Sequence, residues 1–390
     1  MDSLKHGIRN VVNRLDYTLL LCVFLLFIIS LISIYSASGQ YSQDPSYYLI
    51  LQAIWFGLGF IAIIFVVLFI EYEHYRSLAI PLYVIGLLSL IYVHFFGEMR
   101  KGSQRWVSIG GIDIQPSEFV KIFLIIMLAT AIYKITERSK NLMQRDVSIL
   151  TSVAVLSLIP FYFIFSQPDL GTSLVIVAIA GTMLFMSGVS AKLISFIVLG
   201  IGVILAALAW VFVNFPDIFN LLLKDHQLER IYGWLQPDQF ANTFGYQLSG
   251  ARMGIGSGQL FGSGFQEGAM SQSGRVPEIH TDFIFTVIGE EFGFFGVSIL
   301  LLIFFIMIYR MVLIAINSKD LFGMCLIAGV IGLFTFQIFQ NIGMTIGLMP
   351  ITGLTLPFIS YGGSSLLTNM IAVGIVMNVH VHTKEYMFEN

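Results

Sequence analysis

At 390 residues the chain is long enough for two or three soluble domains, but 57% of it is hydrophobic and only 11% charged, against about a quarter charged in ordinary soluble proteins. That excludes an ordinary soluble chain and leaves a polytopic membrane protein. The formal net charge of -3 gives no argument for nucleic acid, because in a membrane protein what matters is where the charges fall.

A hydrocarbon core of about 30 Å needs roughly 20 helical residues. By that ruler the sequence predicts an all-α membrane domain over 1–390 with ten spans: 17–36, 48–70, 78–96, 119–133, 147–165, 171–188, 193–213, 283–309, 321–348 and 364–381. The first run lacks a small-residue cleavage site and is read as a retained span. The fourth reaches full length only if 116–118 belong to its first turn. Cys22 and Cys325 lie inside apolar runs and imply buried side chains, not a disulfide framework.

An even number of spans puts both termini on one side, and the positive-inside rule chooses the side. With the N-terminus cytoplasmic, the inner segments carry twelve basic residues: Lys5, Arg9, Arg14, Arg76, Lys134, Arg138, Lys140, Arg145, Lys192, Arg310, Lys319 and Lys384. The short outer loops carry three, Arg100, Lys101 and Arg105. Both termini are therefore expected in the cytoplasm.

The long outer loop, 214–282, opens with a mixed apolar and charged stretch over 218–235, which reads as an amphipathic helix in the interface. Its second half is rich in glycine and reads as a mobile cover over a site. The Gly-Ile-Gly-Ser-Gly run at 254–258 has no preceding strand or βαβ context, so it does not support dinucleotide binding.

Four polar clusters break the apolar background: 102–106 continuing to 115–118, then 167–172, 277–291 and 360–365. Each falls at the outer end of an even-numbered span, at its helix N-terminus. Such termini carry unsatisfied N–H groups and about half a positive charge, so four of them converging would favour an anion such as a diphosphate. Asp282 stands where the third cluster turns into the eighth span, where an aspartate is commonly just an N-cap. Thr286, Gly289, Gly293 and Gly296 share its helical face and leave a groove fit for close packing or for a lipid chain. Glu290 and Glu291 sit deeper, where an unpaired carboxylate costs on the order of 3 kcal/mol. They read as structural pairs or cation ligands.

Glu118 and Lys121 are spaced i, i+3 behind Pro116, either as a capped helix start or as a pair turned toward phosphate oxygens. Arg105 is a second candidate phosphate ligand, and Trp106 beside it could simply anchor at the interface. The loop Ser360, Gly362, Gly363, Ser364, Ser365 either cradles phosphate or caps the tenth span. No Gly-x-Ser-x-Gly elbow supports a hydrolase, and Glu278, His280 and Asp282 lack a second ligand set for zinc. Magnesium-type cations bridging carboxylate and diphosphate remain open.

The stretches IQPSEFVK (114–121), QPDLGT (167–172), PEIHTDFIFTVIGEEFG (277–293) and NIGMTIGLMPITGLTLPFISYGGSS (341–365) resemble the SEDS family, the shape, elongation, division and sporulation group of bacterial cell-wall proteins. The likeness runs over nearly the whole chain, and the outer loop is most similar to elongation-type members. It implies a ten-span glycosyltransferase that polymerises lipid II at the outer face of the plasma membrane, with a class B penicillin-binding protein as transpeptidase partner and membrane lipids around it. It implies an essential aspartate at Asp282 and functional residues at Glu118, Lys121 and Trp106, while His280 is matched without a settled role. No organic cofactor is implied; Mg²⁺ or Mn²⁺ is the open possibility, with Asp282 and Glu290 as candidate ligands. A lipid flippase would instead place polar residues at mid-membrane in related halves, and a non-catalytic scaffold would tolerate Asp282→Asn.

Overall fold

The computed structural model describes residues 11–40, 44, 46–100, 103–217, 219, 225–237, 239, 244–318 and 320–385. Lys5, Arg9, Lys101, Gly102 and Lys319, and part of the stretch 218–235, lie outside them. All ten predicted spans are helices: α1 (Tyr17–Ala37), α2 (Ser46–Phe69), α3 (Tyr75–Phe96), α4 (Pro116–Arg138), α5 (Leu142–Ser166), α6 (Leu170–Met186), α7 (Ala191–Asn214), α11 (Ile284–Asn317), α12 (Leu321–Thr345) and α13 (Gly363–Glu385). Among the described residues nine are long and apolar enough to cross a membrane, and α6, with 17 residues, is shorter. The chain is a multi-pass membrane protein.

Helices α12 and α13 form the centre of the bundle, with 72% and 83% of their apolar windows buried. Close approach explains the central packing. A Cβ on Gly59 of α2 would meet Met370 of α13, and one on Gly332 of α12 would meet Thr182 of α6. Helix α7 is the opposite case: it buries no residue and is apolar on every side, as a span surrounded by lipid should be.

A three-stranded antiparallel sheet adds to the helical plan between α3 and α4: β1 (Glu98–Arg100), β2 (Ser103–Ile109) and β3 (Ile112–Ile114), in that order. Gly110 and Gly111 both have positive φ, which is what a two-residue turn matched to strand twist requires. Proline at the first position of α4 then starts the helix, so Pro116 to Glu118 do belong to the fourth span.

In the outer loop the structure describes α8 (Asp225–Leu235), inside the stretch read as amphipathic, then α9 (Phe244–Ser257) and the short α10 (Ala269–Gln272). The glycine-rich half is not the mobile cover expected from the sequence. Helix α11 is broken at Gly293 (φ 63°, ψ -159°), and the backbone groups freed there are taken up by that loop. The amides of Ser263 and Gly264 donate to the carbonyls of Glu290 and Glu291, and those of Phe294 and Phe295 donate to Gln259 and Leu260. The groove beneath Asp282 is therefore a packing seam, with Ile255 against Gly289 and Gly262 against Gly293.

Candidate active site

The four polar clusters meet at one end of the bundle around a cavity of about 480 Å³. Lining it are Arg105, Trp106, Gln115 and Glu118 from the first cluster, and Asp169 and Thr172 from the second. Glu278, Thr281 and Asp282 come from the third, and Gly362 to Ser365 from the fourth.

Each edge is fixed by an identifiable contact. Asp169 caps α6 through the Thr172 amide and receives Arg105 at 3.0 Å. Burial opposes the Asp169 charge, but Arg105 and the Thr172 N–H outweigh it and hold the carboxyl below the usual range. Burial likewise opposes the charge on Arg105, and Asp169 more than offsets it, lifting the guanidinium above its ordinary value. Lys121, fully buried, donates to Glu118 at 2.7 Å. Ser364 Oγ accepts from the Gln115 amide and donates to the Asp113 carbonyl, stitching the start of α13 to β3 and α4. A Cβ on Gly363 would lie 2.3 Å from the Trp55 ring, so the glycine lets α13 begin against α2.

Asp282 stands at the mouth of α11. The turn that carries it pivots on Glu278, whose φ of 56° is uncommon for a side-chain-bearing residue and costs energy. The Glu278 carbonyl accepts from the amides of Thr281 and Phe283. Asn341 Nδ2 of α12 donates to both the Asp282 and Leu354 carbonyls, at 2.8 and 2.6 Å.

Five sequence candidates do not line the cavity. His280 is buried between the rings of Tyr48 and Tyr361. Ser360 spends its hydroxyl on the Leu356 amide and the Thr281 carbonyl, shaping the loop from behind. Glu290 has its carboxylate on the Met270 and Ser271 amides and the Ser271 hydroxyl, where it holds α10; Glu291 accepts from Ser36 and Gln272. Lys121 reaches the cavity only through Glu118.

Arg230 is a residue the sequence reading passed over. It comes from α8, lines the cavity, and donates to the Thr352 carbonyl at 2.9 Å. Burial pushes it below its ordinary value, while the charge of Asp282 works in the other direction. Its only sequence signal was its place in an amphipathic stretch. Among the described residues the lining holds five carboxylates, Asp113, Glu118, Asp169, Glu278 and Asp282, against two guanidiniums, Arg105 and Arg230. An anion entering it therefore meets more negative charge than four helix N-termini alone would suggest.

Fold and site together define a polytopic helical membrane protein with a polar cavity at one end of its bundle and one carboxylate set at a helix mouth. The chain belongs to the cell cycle protein family of FtsW, RodA and SpoVE, which it matches over residues 16–385. It is similar to the peptidoglycan glycosyltransferase MrdB of Escherichia coli (36% identity over 95% of each chain) and to stage V sporulation protein E of Bacillus subtilis (34%, 95% of this chain and 98% of that one). Among solved structures it resembles a chain from a peptidoglycan synthase complex that coordinates polymerization and crosslinking, with a TM-score of 0.76 at 28% identity over 95% of this chain and 98% of that one. It also resembles RodA of Thermus thermophilus, at 0.66 and 26% over 94% and 96%.

Proposed function

We propose that this chain is a peptidoglycan glycosyltransferase that polymerises glycan strands and works beside a penicillin-binding protein that crosslinks them. Relatives named for that activity at up to 36% identity over nearly the whole chain support the reading, as does the likeness to a chain from a synthase complex. The observation that carries the catalytic assignment is the position of Asp282, in the cavity and at the helix mouth where all four clusters meet.

In this reading lipid II supplies both donor and acceptor. Asp282 accepts the proton of the acceptor's 4-hydroxyl as that oxygen attacks the anomeric carbon. The bond from that carbon to the diphosphate oxygen breaks on the opposite face, the electron pair leaves with undecaprenyl diphosphate, and the centre inverts. A positioned base contributes roughly 10²- to 10⁴-fold; carboxylates as a class are weak bases toward a hydroxyl, so orientation carries much of the rate. Arg105, Gln115 and the Ser364–Ser365 loop are placed to bind diphosphate oxygens.

The acidic lining favours Mg²⁺ or Mn²⁺ accompanying the diphosphate, since such cations take one or two carboxylates plus substrate phosphates. Among the described residues no group of three His, Cys, Asp or Glu could hold a metal, and Asp282 is the candidate ligand in the cavity. Bound there, the cation would neutralise charge on the leaving group. The opposite end of the bundle carries the Arg310–Asp16, Arg76–Asp320 and Arg145–Asp146 pairs, and by the positive-inside rule those basic residues support a reading in which the cavity opens to the external face.

The test is purified protein with its transpeptidase partner, lipid II and Mg²⁺. Wild type yields glycan polymer, and Asp282→Asn, folded and still bound to its partner, yields none. Polymer from the Asn variant would remove Asp282 as the base, and lipid movement without polymer would favour a transporter.

A further inference from the structure

We infer that Arg230 is a positioning residue for Asp282, so that the base is set in place only when the outer-loop helix α8 is docked on the segment joining α12 to α13. The inference rests on the assignment of Asp282 as base. Two hydrogen bonds dock the helix: Arg230 Nη1 to the Thr352 carbonyl, and Trp234 Nε1 to the Gly347 carbonyl, both 2.9 Å. They lie one helical turn apart on α8, so they fix both the rotation of the helix and its height.

Gly353 then supplies the measure of how close the two side chains come. A Cβ built on it would stand 3.2 Å from Asp282 Oδ2 and 3.8 Å from Arg230 Nη1, which bounds the separation of carboxylate and guanidinium at the sum of the two. A side chain at this position would fill the space beside the acid, and glycine leaves it to the guanidinium. The arginine thus binds the backbone on one side and faces the base across the bare backbone of the next residue. Asn341 holds the Asp282 main chain from α12, and two other cations of this region, Arg105 and Lys121, are held by Asp169 and Glu118. A rigid guanidinium fork orients a carboxylate better than a flexible ammonium.

The experiment measures lipid II polymerisation by the full-length chain with its transpeptidase partner, resolving kcat from KM. Arg230→Gln is expected to lower kcat by about 10²-fold, the cost of misplacing a reacting group by about 1 Å, with KM within a few-fold of wild type. Arg230→Lys recovers part of that loss, and Trp234→Phe, which keeps Arg230 but removes one docking bond, lowers kcat by several-fold. Wild-type kcat in Arg230→Gln overturns the inference, as does a rise in KM with kcat unchanged, which would make the arginine a substrate ligand. So does an equal loss in the Lys and Gln variants together with a lowered unfolding temperature, which would make it only a structural tether. Asp282→Asn is run alongside. If that variant polymerises lipid II the catalytic assignment itself fails, whereas an inactive Asn variant beside a fully active Arg230→Gln refutes this inference alone.

Discussion

Arg105 of β2 and Asp169 at the cap of α6 are joined by a 3.0 Å ion pair across 64 residues, and through it the small sheet is tied to the cavity wall. The folded pKa of Asp169 is depressed, so the pair contributes its full stability above the unfolded carboxylate value, about 3.9, and loses it as pH falls through the lower folded value. Thermal unfolding followed from pH 7 down to pH 3 is expected to show wild type losing stability at the acid end. Asp169→Asn starts lower at pH 7 and falls less steeply. Parallel curves for the two proteins would refute the coupling.

The ten helices were legible because each buries or exposes a run of apolar residues long enough to cross a bilayer, and Asp16, Asn141, Asp169 and Asp320 cap four of them where a helix start demands a side-chain acceptor. The convergence of the four motifs was legible from span parity alone. The sheet at 98–114 was not, because its strands are short and its strongest signal, Gly110-Gly111, looks like any loop. The glycines at 254–264 suggested mobility, yet Gly258 and Gly262 lie where a Cβ would strike the α11 backbone, and that packing goes with a helix break at Gly293, about 30 residues away. His280 and Ser360 looked like ligands because they sit inside recognisable motifs; what a motif does not tell is whether a side chain faces the cavity or supports it from behind. Arg230 was missed for the converse reason, since its partners Thr352 and Asp282 are distant in sequence.

Lys121 is fully buried with Glu118 as its partner. Removing one member of such a pair leaves an uncompensated charge, which costs about 3 to 5 kcal/mol. Lys121→Met is therefore expected to lower the unfolding temperature and the yield of folded protein sharply. The double variant Glu118→Gln with Lys121→Met regains most of that stability while leaving activity low, because Glu118 lines the cavity. Thermal unfolding of the three variants in detergent, with polymerisation measured on each, separates the two effects.

Gly258 packs its backbone on α11 so closely that a Cβ would lie 2.0 Å from the Gly289 carbonyl oxygen. Neither partner is the end of a flexible side chain, so neither can move aside cheaply, and Gly258→Ala is expected to cost about 3 kcal/mol or more, at or beyond the upper end for overpacking. Gly256, beside which a Cβ meets nothing within 4 Å, is the internal control: Gly256→Ala leaves the unfolding temperature within a degree or two of wild type or raises it, since alanine favours a helix. Equal losses in the two would show that the loop is loosely packed after all.

The lining is acidic, but among the described residues no group of three His, Cys, Asp or Glu could hold a metal, so a cation is expected to bind with the substrate, whose phosphates complete its ligands, rather than before it. A ligand that binds only the folded state raises the unfolding temperature according to its concentration over Kd. Millimolar Mg²⁺ alone is accordingly expected to leave the unfolding temperature of the protein unchanged, whereas Mg²⁺ with a lipid diphosphate raises it. EDTA abolishes both that rise and glycan synthesis, and excess Mg²⁺ restores them. Because Glu290 has its carboxylate engaged by α10, Glu290→Gln lowers stability without changing the Mg²⁺ concentration that half-restores activity. Asp282→Asn, by contrast, removes the lipid-dependent shift or weakens it. A shift with Mg²⁺ alone, or one that Glu290→Gln abolishes, would place the cation at α10 instead of in the cavity.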